Sequence, residues 1–274
     1  MRTALITGGS RGLGLATARQ LGSLGYTLEL ISSSQTNLEA AAADLRVRGL
    51  TVGDTHVVDF ADLESVKAFA REYREREVEW DLLINNAGIK IQDDAPASAQ
   101  GYERHMAINH LAHFALTNAL LPLGRPGARV VHVSSIVARF ADADIFTAKD
   151  TSERYASSKL ANLLFGFELE RRLAASRSTI TSVSAHPGFT KADPYGSRFT
   201  RFAETMMGQS TMRGALPIIA AATQDYDAQY IGPRWLELWG APRAARVPAL
   251  ANDEVLRSEV WAASERMTGV IFPL

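Results

Sequence analysis

The sequence predicts a doubly wound α/β fold, a parallel sheet with helices on both faces. Three observations carry that expectation. Short apolar runs alternate with longer segments of helical period from the N-terminus to about residue 188. The short runs are almost continuously apolar, the pattern of strands buried on both faces. A glycine cluster stands directly between the first strand and the first helix, where such folds place a ligand.

Taken in order, Ala4 to Thr7 reads as a strand and Gly12 to Leu24 as a helix. Thr27 to Ile31 and Thr55 to Val58 are strands, each followed by a helix, Thr36 to Val47 and Leu63 to Arg76. Asp81 to Ile84 is the fourth strand, and Tyr102 to Leu121 is helical up to Pro122. Arg129 to Val133 is a buried strand, Arg154 to Ala175 a long helix, and Thr179 to Ala185 the sixth strand. Beyond Gly188 the alternation weakens. Phe189, Phe199, Phe202, Met206 and Met207 cluster there among Gly, Ser and Thr, which suggests an apolar substrate-binding lobe over about 189–215, with core packing as the plain alternative. We expect one domain over residues 1–274, with a C-terminal extension over about 241–274.

Composition removes several functions. The 274 residues carry 29 Lys+Arg against 30 Asp+Glu, a net charge of −1 that does not suit a nucleic-acid binder. There is no cysteine, hence no disulfide, thiolate metal site or Cys nucleophile. No apolar run approaches the roughly 20 residues of a membrane span, and no apolar leader precedes the glycine cluster. A cytoplasmic protein is expected. His110 and His113 share a helix face without accompanying carboxylates, so they read as packed histidines and no metal is expected.

The glycine cluster is Thr7-Gly8-Gly9-Ser10-Arg11-Gly12-Leu13-Gly14. Glycines permit a tight turn and close approach to a pyrophosphate, and the following helix start offers N–H groups and partial positive charge. Gly8 to Gly12 also fits G-x-S-x-G, but that elbow needs earlier strands to build its oxyanion hole. A P-loop needs Lys-Ser/Thr after Gly14, where Leu15-Ala16 stands.

The turn is similar to the T-G-x-x-x-G-x-G turn of the short-chain dehydrogenase/reductase family. Further segments resemble that family in its order: Asn85-Asn86-Ala87-Gly88, Asn109, Ser134-Ser135, Tyr155-x-x-x-Lys159 and His186-Pro187-Gly188. Asn109-His110-Leu111 and Ser158-Lys159-Leu160-Ala161-Asn162 look like its retinol-dehydrogenase-like branch.

The resemblance implies a Rossmann-like fold and hydride transfer between a nicotinamide and a carbonyl or alcohol carbon. Tyr155 and Lys159, four apart, share one helix face. A phenol with a pKa near 10 needs help at neutral pH, and lowering it by about 3 units takes roughly 4 kcal/mol of differential stabilisation. The implied roles are Tyr155 as general acid or base, Lys159 as its electrostatic partner and ribose ligand, Ser135 as donor to the substrate oxygen, and Asn109 as holder of a relay water. Ser134 competes with Ser135, but neighbouring strand residues point oppositely. Asn85 is expected to join strands, and His186 to shape its turn.

The implied cofactor contacts are Gly8, Ser10, Arg11, Gly12, Leu13, Gly14, Ser32, Ser33, Asp59, Phe60, Asn86, Ala87, Gly88, Tyr155, Lys159, Pro187, Gly188 and Thr190. The second strand ends Leu30-Ile31-Ser32-Ser33-Ser34 without an acid for a ribose 2′-OH, and Arg11 stands where it can meet a 2′-phosphate. NADP(H) is therefore expected. Ala192 takes the place where the family carries Thr, leaving Thr190 as the substitute. Phe140, Tyr195, Phe199 and Met206 are candidates for the substrate pocket of a lipophilic or aromatic carbonyl or alcohol. The expected assembly is a homodimer or homotetramer. A non-catalytic NADP(H)-binding sensor or scaffold, and an isomerase or epimerase that retains its cofactor, stay open as alternatives.

Overall fold

The computed structural model describes residues 1–90, 96–147, 150–191 and 208–274. Its frame is an eight-stranded sheet in the order β3-β2-β1-β4-β5-β6-β7-β8. The strands are β1 (Arg2–Thr7), β2 (Tyr26–Ser32), β3 (Val52–Val57), β4 (Trp80–Asn85), β5 (Gly124–Val133), β6 (Thr181–Ala185), β7 (Tyr230–Trp235) and β8 (Trp239–Ala244). All neighbours pair in parallel except β7 with β8. The order reverses between β1 and β4, which opens a crevice above their carboxyl ends.

Among the described residues the helices are α1 (Gly12–Ser23), α2 (Gln35–Val47), α3 (Leu63–Glu75), a composite α4 (Arg104–Met106, Ala107–Leu111 and Ala112–Leu120), α5 (Thr151–Ala175), α6 (Thr211–Gly214), α7 (Leu216–Thr223) and α8 (Glu254–Thr268). Side-chain alternation sends each central strand into two cores. Leu5, Leu83 and Val130 enter the layer built with α3, α4 and α5; Ala4, Ile6, Leu82, Ile84, Val131 and Val133 enter the layer built with α1, α2 and α7. Both faces are apolar, and the six strand assignments hold to within a few residues at their ends.

Two features depart from the expectation. The helix over Tyr102 to Leu121 is broken: α4 comprises Arg104–Met106, a π-helical turn Ala107–Leu111, and Ala112–Leu120. The second is at the C-terminus. Residues beyond 230 add β7 and the edge strand β8, whose Pro233 and Pro242 stand opposite one another, and then α8. Pro242 is tolerated because β8 is an edge strand, and Pro233 because β6 pairs with β7 only at Tyr230 and Ile231. On α8, Trp261 packs against Phe114 and Phe165, with ring centroids at 5.0 and 5.7 Å, and the Arg172 guanidinium lies 4.2 Å from its ring centre. The outer side of α5 is thereby covered.

Phe189 pairs through its N–H with Leu238 O, and Thr190 bridges to Gln209. Ala192, Tyr195, Phe199, Phe202, Met206 and Met207 lie outside the described residues. No helix among the described residues is long and apolar enough to cross a membrane.

Candidate active site

The glycine turn closes on itself. Gly8 has φ +64° and Gly12 φ +54°, a region side chains rarely enter. A Cβ on Gly14 would stand 2.1 Å from Gly8 O, so the first turn of α1 lies directly on the end of β1. Arg11, in the cap position with extended backbone, makes no side-chain capping bond, and the first turn carries no acid. This leaves a helix N-terminus whose N–H groups suit an anion, lined by backbone rather than side chains. The geometry fits a pyrophosphate.

At the other side of the crevice α5 presents Tyr155 and Lys159. Its N-terminus is set by Asp150, whose carboxylate accepts from Glu153 N at 2.9 Å, and the side chains four apart project the same way. Tyr155 is half-buried and Lys159 is buried, with its Nζ 5.9 Å from the Tyr155 ring centre. Nζ donates to Val133 O at 3.1 Å. Burial, with a smaller contribution from the Lys90 charge, pulls the Lys159 ammonium down to about 8. An ammonium held this dry interacts strongly with a nearby phenol.

The two serines separate as strand alternation requires. Ser134 is buried and donates to Lys159 O at 2.7 Å, whereas Ser135 is half-buried and open at the start of the turn Ile136–Phe140. Asn109 lies inside the π-helical turn. Its Oδ1 accepts from Ile89 N at 2.8 Å, and its Nδ2 donates to Ile89 O at 3.1 Å and Ser158 Oγ at 2.9 Å. Asn109, Ser135, Tyr155 and Lys159 thus gather around one end of α5.

Other residues take up the positions named from sequence with varied exposure. Ser10 donates to Ser32 Oγ at 2.8 Å, tying the glycine turn to the end of β2, while Ser33 and Arg11 are exposed. Asp59 is exposed and accepts from Ala61 N at 2.8 Å. Phe60 is buried, its ring 5.1 Å from that of His113, so only its main chain is left for the crevice. Leu13 packs partly on the core. Asn86 and Ala87 follow β4, with Asn86 Nδ2 donating to Thr7 O at 2.8 Å. Asn85 joins strand and helix, donating to Thr117 Oγ1 at 2.8 Å beside His132.

Gly188 has φ +70°, and its N–H donates to His186 Nδ1 at 3.3 Å. Thr190 spends its hydroxyl proton on Pro187 O at 3.0 Å. His110 is held by Ser264 Oγ at 2.7 Å. Among the described residues no group of three or more His, Cys, Asp or Glu could hold a metal ion.

Sequence reasoning missed two neighbours of the site. His105 is buried, with Nδ1 2.8 Å from Glu103 Oε1, Nε2 3.0 Å from Lys90 O, and its ring edge-on to Tyr155 at 6.2 Å. His113, four residues after Asn109, faces both Asn109 and Thr7. That i, i+4 spacing was the available signal.

A family model described as short chain dehydrogenase matches residues 2–200. The chain belongs to the short-chain dehydrogenase family. It is an oxidoreductase of that family and stands in its retinol-dehydrogenase-like branch. Among its relatives, polyprenol dehydrogenase of Mus musculus is 32% identical over 98% of this chain and 84% of its own length. Retinol dehydrogenase 13 of Homo sapiens is 32% identical over 99% and 86%. Among solved structures, an uncharacterised protein from Mycobacterium paratuberculosis superposes with a TM-score of 0.83 at 34% identity, covering 100% of this chain and 96% of that one. A blue fluorescent protein from a metagenomic library, in complex with NADPH, gives 0.65 at 26% identity, covering 81% and 90%. As a member of this family it binds a nicotinamide cofactor.

Proposed function

We propose that the chain is an NADP(H)-dependent oxidoreductase that moves a hydride between the nicotinamide and a carbonyl or alcohol carbon of a lipophilic or aromatic substrate. The observation that carries this reading is the buried Lys159 ammonium beside the half-buried Tyr155 ring, 5.9 Å away. The glycine turn with Arg11, the Ser10–Ser32 pair, Asp59 and the Phe60 backbone would hold the adenosine end. Asn86 to Gly88, Pro187, Gly188 and Thr190, with Tyr155 and Lys159, would hold the nicotinamide end. Bound there, the reduced nicotinamide supplies the hydride.

The protein's own part is proton handling. Tyr155 donates its phenolic proton to the substrate oxygen in reduction and takes it back in oxidation. Lys159 stabilises the phenolate between those events. Ser135 donates to the same oxygen and steadies its developing charge. Asn109 fixes the loop at Ile89 against α5, and its place beside Ser158 suits a path along which the proton of Tyr155 is replaced.

NADP(H) is favoured because Arg11 stands beside a β2 end carrying serines and no acid. A lipophilic substrate is favoured by two observations. Relatives bear the names polyprenol and retinol dehydrogenase. Phe140, Trp235 and Leu236 stand exposed near the Ser135 side, joined by the ion pair between Arg139 and Glu237. Assembly as a homodimer or homotetramer belongs to the same reading, with pairing on a face other than the one α8 covers.

The test is a panel of apolar aldehydes and ketones, followed by loss of NADPH absorbance. Turnover with an apolar carbonyl, faster with NADPH than NADH, is expected, and Tyr155→Phe abolishes it while NADPH still binds. Retained turnover in that variant, or a clear preference for NADH, overturns the reading.

A further inference from the structure

We propose that His113 is a positioning residue that joins the cofactor side of the crevice to Asn109, through one hydrogen-bonded chain running from Thr7 to the π-helical turn. The inference rests on the function proposed above.

The proton count fixes the direction of the chain. His113 Nδ1 lies 3.0 Å from Asn109 O, which can only accept, so Nδ1 carries the proton. His113 Nε2 lies 2.9 Å from Thr7 Oγ1. The Thr7 hydroxyl already accepts from Asn86 N and Ala87 N, both at 2.8 Å. Its single proton has two candidates, Nε2 of a neutral His113 at 2.9 Å and Ile84 O at 3.2 Å. Nε2 has a free lone pair in the Nδ1–H tautomer and takes the shorter bond. Burial pushes the imidazole down to about 4, against the Asn109 hydrogen bond and with a smaller push from the Lys159 charge, so it is neutral at ordinary pH.

The consequences follow from what the chain touches. Thr7 is the last residue of β1 and enters the glycine turn. Asn86 and Ala87 form the loop after β4, and Gly8 lies so close that a Cβ there would stand 3.0 Å from Ala87 Cα. Asn109 sits in the π-helical turn, and the His113 side chain donates to its carbonyl oxygen. One buried imidazole therefore holds three segments in register: the glycine turn, the Asn86–Gly88 loop and the helix carrying Asn109. The Phe60 ring, 5.1 Å away, packs it in place from the side of β3.

Two substitutions divide the chain. An Asn amide reaches the Nδ1 position, as Asn118 Nδ2 does toward Phe114 O at 3.0 Å in the same helix. His113→Asn thus keeps the Asn109 contact and loses Thr7. A Gln amide reaches the Nε2 position, so His113→Gln keeps Thr7 and loses Asn109. His113→Phe loses both. The readouts are the NADPH dissociation constant by fluorescence titration, kcat against the best carbonyl, and histidine nitrogen spectra of the unliganded wild-type protein.

We expect His113→Asn to weaken NADPH binding about tenfold with kcat nearly intact. We expect His113→Gln to bind NADPH normally and lose about tenfold to a hundredfold in kcat. His113→Phe should show both losses, and the wild-type spectrum should show the Nδ1-protonated neutral tautomer. Equal losses in the Asn and Gln variants, wild-type behaviour in Phe, or an Nε2-protonated tautomer each overturn the proposal. If wild-type protein neither binds nor oxidises NADPH, the function proposed above fails instead, and the tautomer still decides the hydrogen-bond chain.

Discussion

Gly88 and Asn109 meet where a side chain on residue 88 has no room: a Cβ would stand 2.8 Å from Asn109 Oδ1 and 3.5 Å from Lys159 Nζ. Asn109 Oδ1 cannot retreat freely, because it accepts from Ile89 N at 2.8 Å inside a fully buried side chain. Gly88→Ala should therefore break that bond or shift the loop. The expected result is a loss of about 1–3 kcal/mol in stability, the cost of a disturbed buried hydrogen bond. A larger proportional loss in kcat should accompany it, since the displaced groups flank Tyr155. Urea unfolding and steady-state kinetics on the same preparation check both.

The buried Lys159 ammonium makes a pH prediction with a definite sign. Its folded pKa of about 8 lies below the ordinary 10.5, with burial as the main cause and the Lys90 charge as the second. Below pH 8 both folded and unfolded chains carry the proton, and the burial penalty is fully present. Between about 8 and 10.5 the unfolded chain binds more protons than the folded one, so stability rises with pH. The rise attributable to this residue is at most about 3 kcal/mol. Chemical denaturation at pH 7.5 and 9.5 should show a steeper gain for wild type than for Lys159→Met. Identical slopes would remove the buried ammonium from the account.

Under the proposed function, cofactor choice turns on Arg11. It caps α1 with extended backbone, is exposed, and stands next to Ser10, which is tied to Ser32 at the end of β2. An Arg there offers a charged fork to a 2′-phosphate but only an ordinary hydrogen bond to the neutral 2′-hydroxyl. Arg11→Glu should weaken NADPH about tenfold to a hundredfold while changing NADH little or improving it. Paired titrations with the two cofactors measure the ratio, and an unchanged ratio would assign the phosphate to other residues.

Much of the geometry of this candidate site was legible because its parts lie in short local stretches of sequence. The glycine turn, Tyr155 with Lys159, and the loop after β4 each lie within a few residues at the end of one strand or on one helix face. The central strands were legible because burial on both faces leaves a continuous apolar run in the middle of each, Ala4 to Ile6, Leu82 to Ile84 and Val130 with Val131. Other features depend on partners far along the chain. The π-helical turn shifts the helical period in a helix buried on nearly every side, so the shift leaves no apolar signature, and the segment carrying Asn109 read as regular helix although the residue itself was named from the resemblance. His113 looked like packing until Thr7, 106 positions away, came within 2.9 Å of it. Phe60 followed Asp59 at a strand end and read as a crevice residue, yet its ring turns inward against His113. β7 and the edge strand β8 carry Pro233, Pro242, Arg234 and Arg243, so they lack the continuous apolar signal of the inner strands.

The exposed aromatics at the end of the sheet give the last prediction. Phe140 is 75% exposed, Trp235 64% and Leu236 81%. Leu236 and Glu237 both have positive φ, and the buried Glu237 carboxylate is held by Arg139 and by Arg246 N at 2.8 Å. The hairpin tip is thus stapled inward at Glu237 and turned outward at Trp235 and Leu236, a backbone arrangement that costs energy in non-glycine residues. Phe140 is five residues beyond Ser135 on the turn that Ser135 opens, and the Arg139–Glu237 ion pair ties that turn to the hairpin, so under the proposed function these side chains rim the substrate end of the crevice. An apolar chain lying over them gains roughly 25 cal/mol for each Å² of apolar surface it buries. Phe140→Ala and Trp235→Ala should therefore raise KM for long-chain carbonyls about tenfold each, leaving short-chain KM and the NADPH dissociation constant unchanged. Equal effects on long and short substrates would mean that these residues shape the crevice itself and do not contact the substrate's distal end.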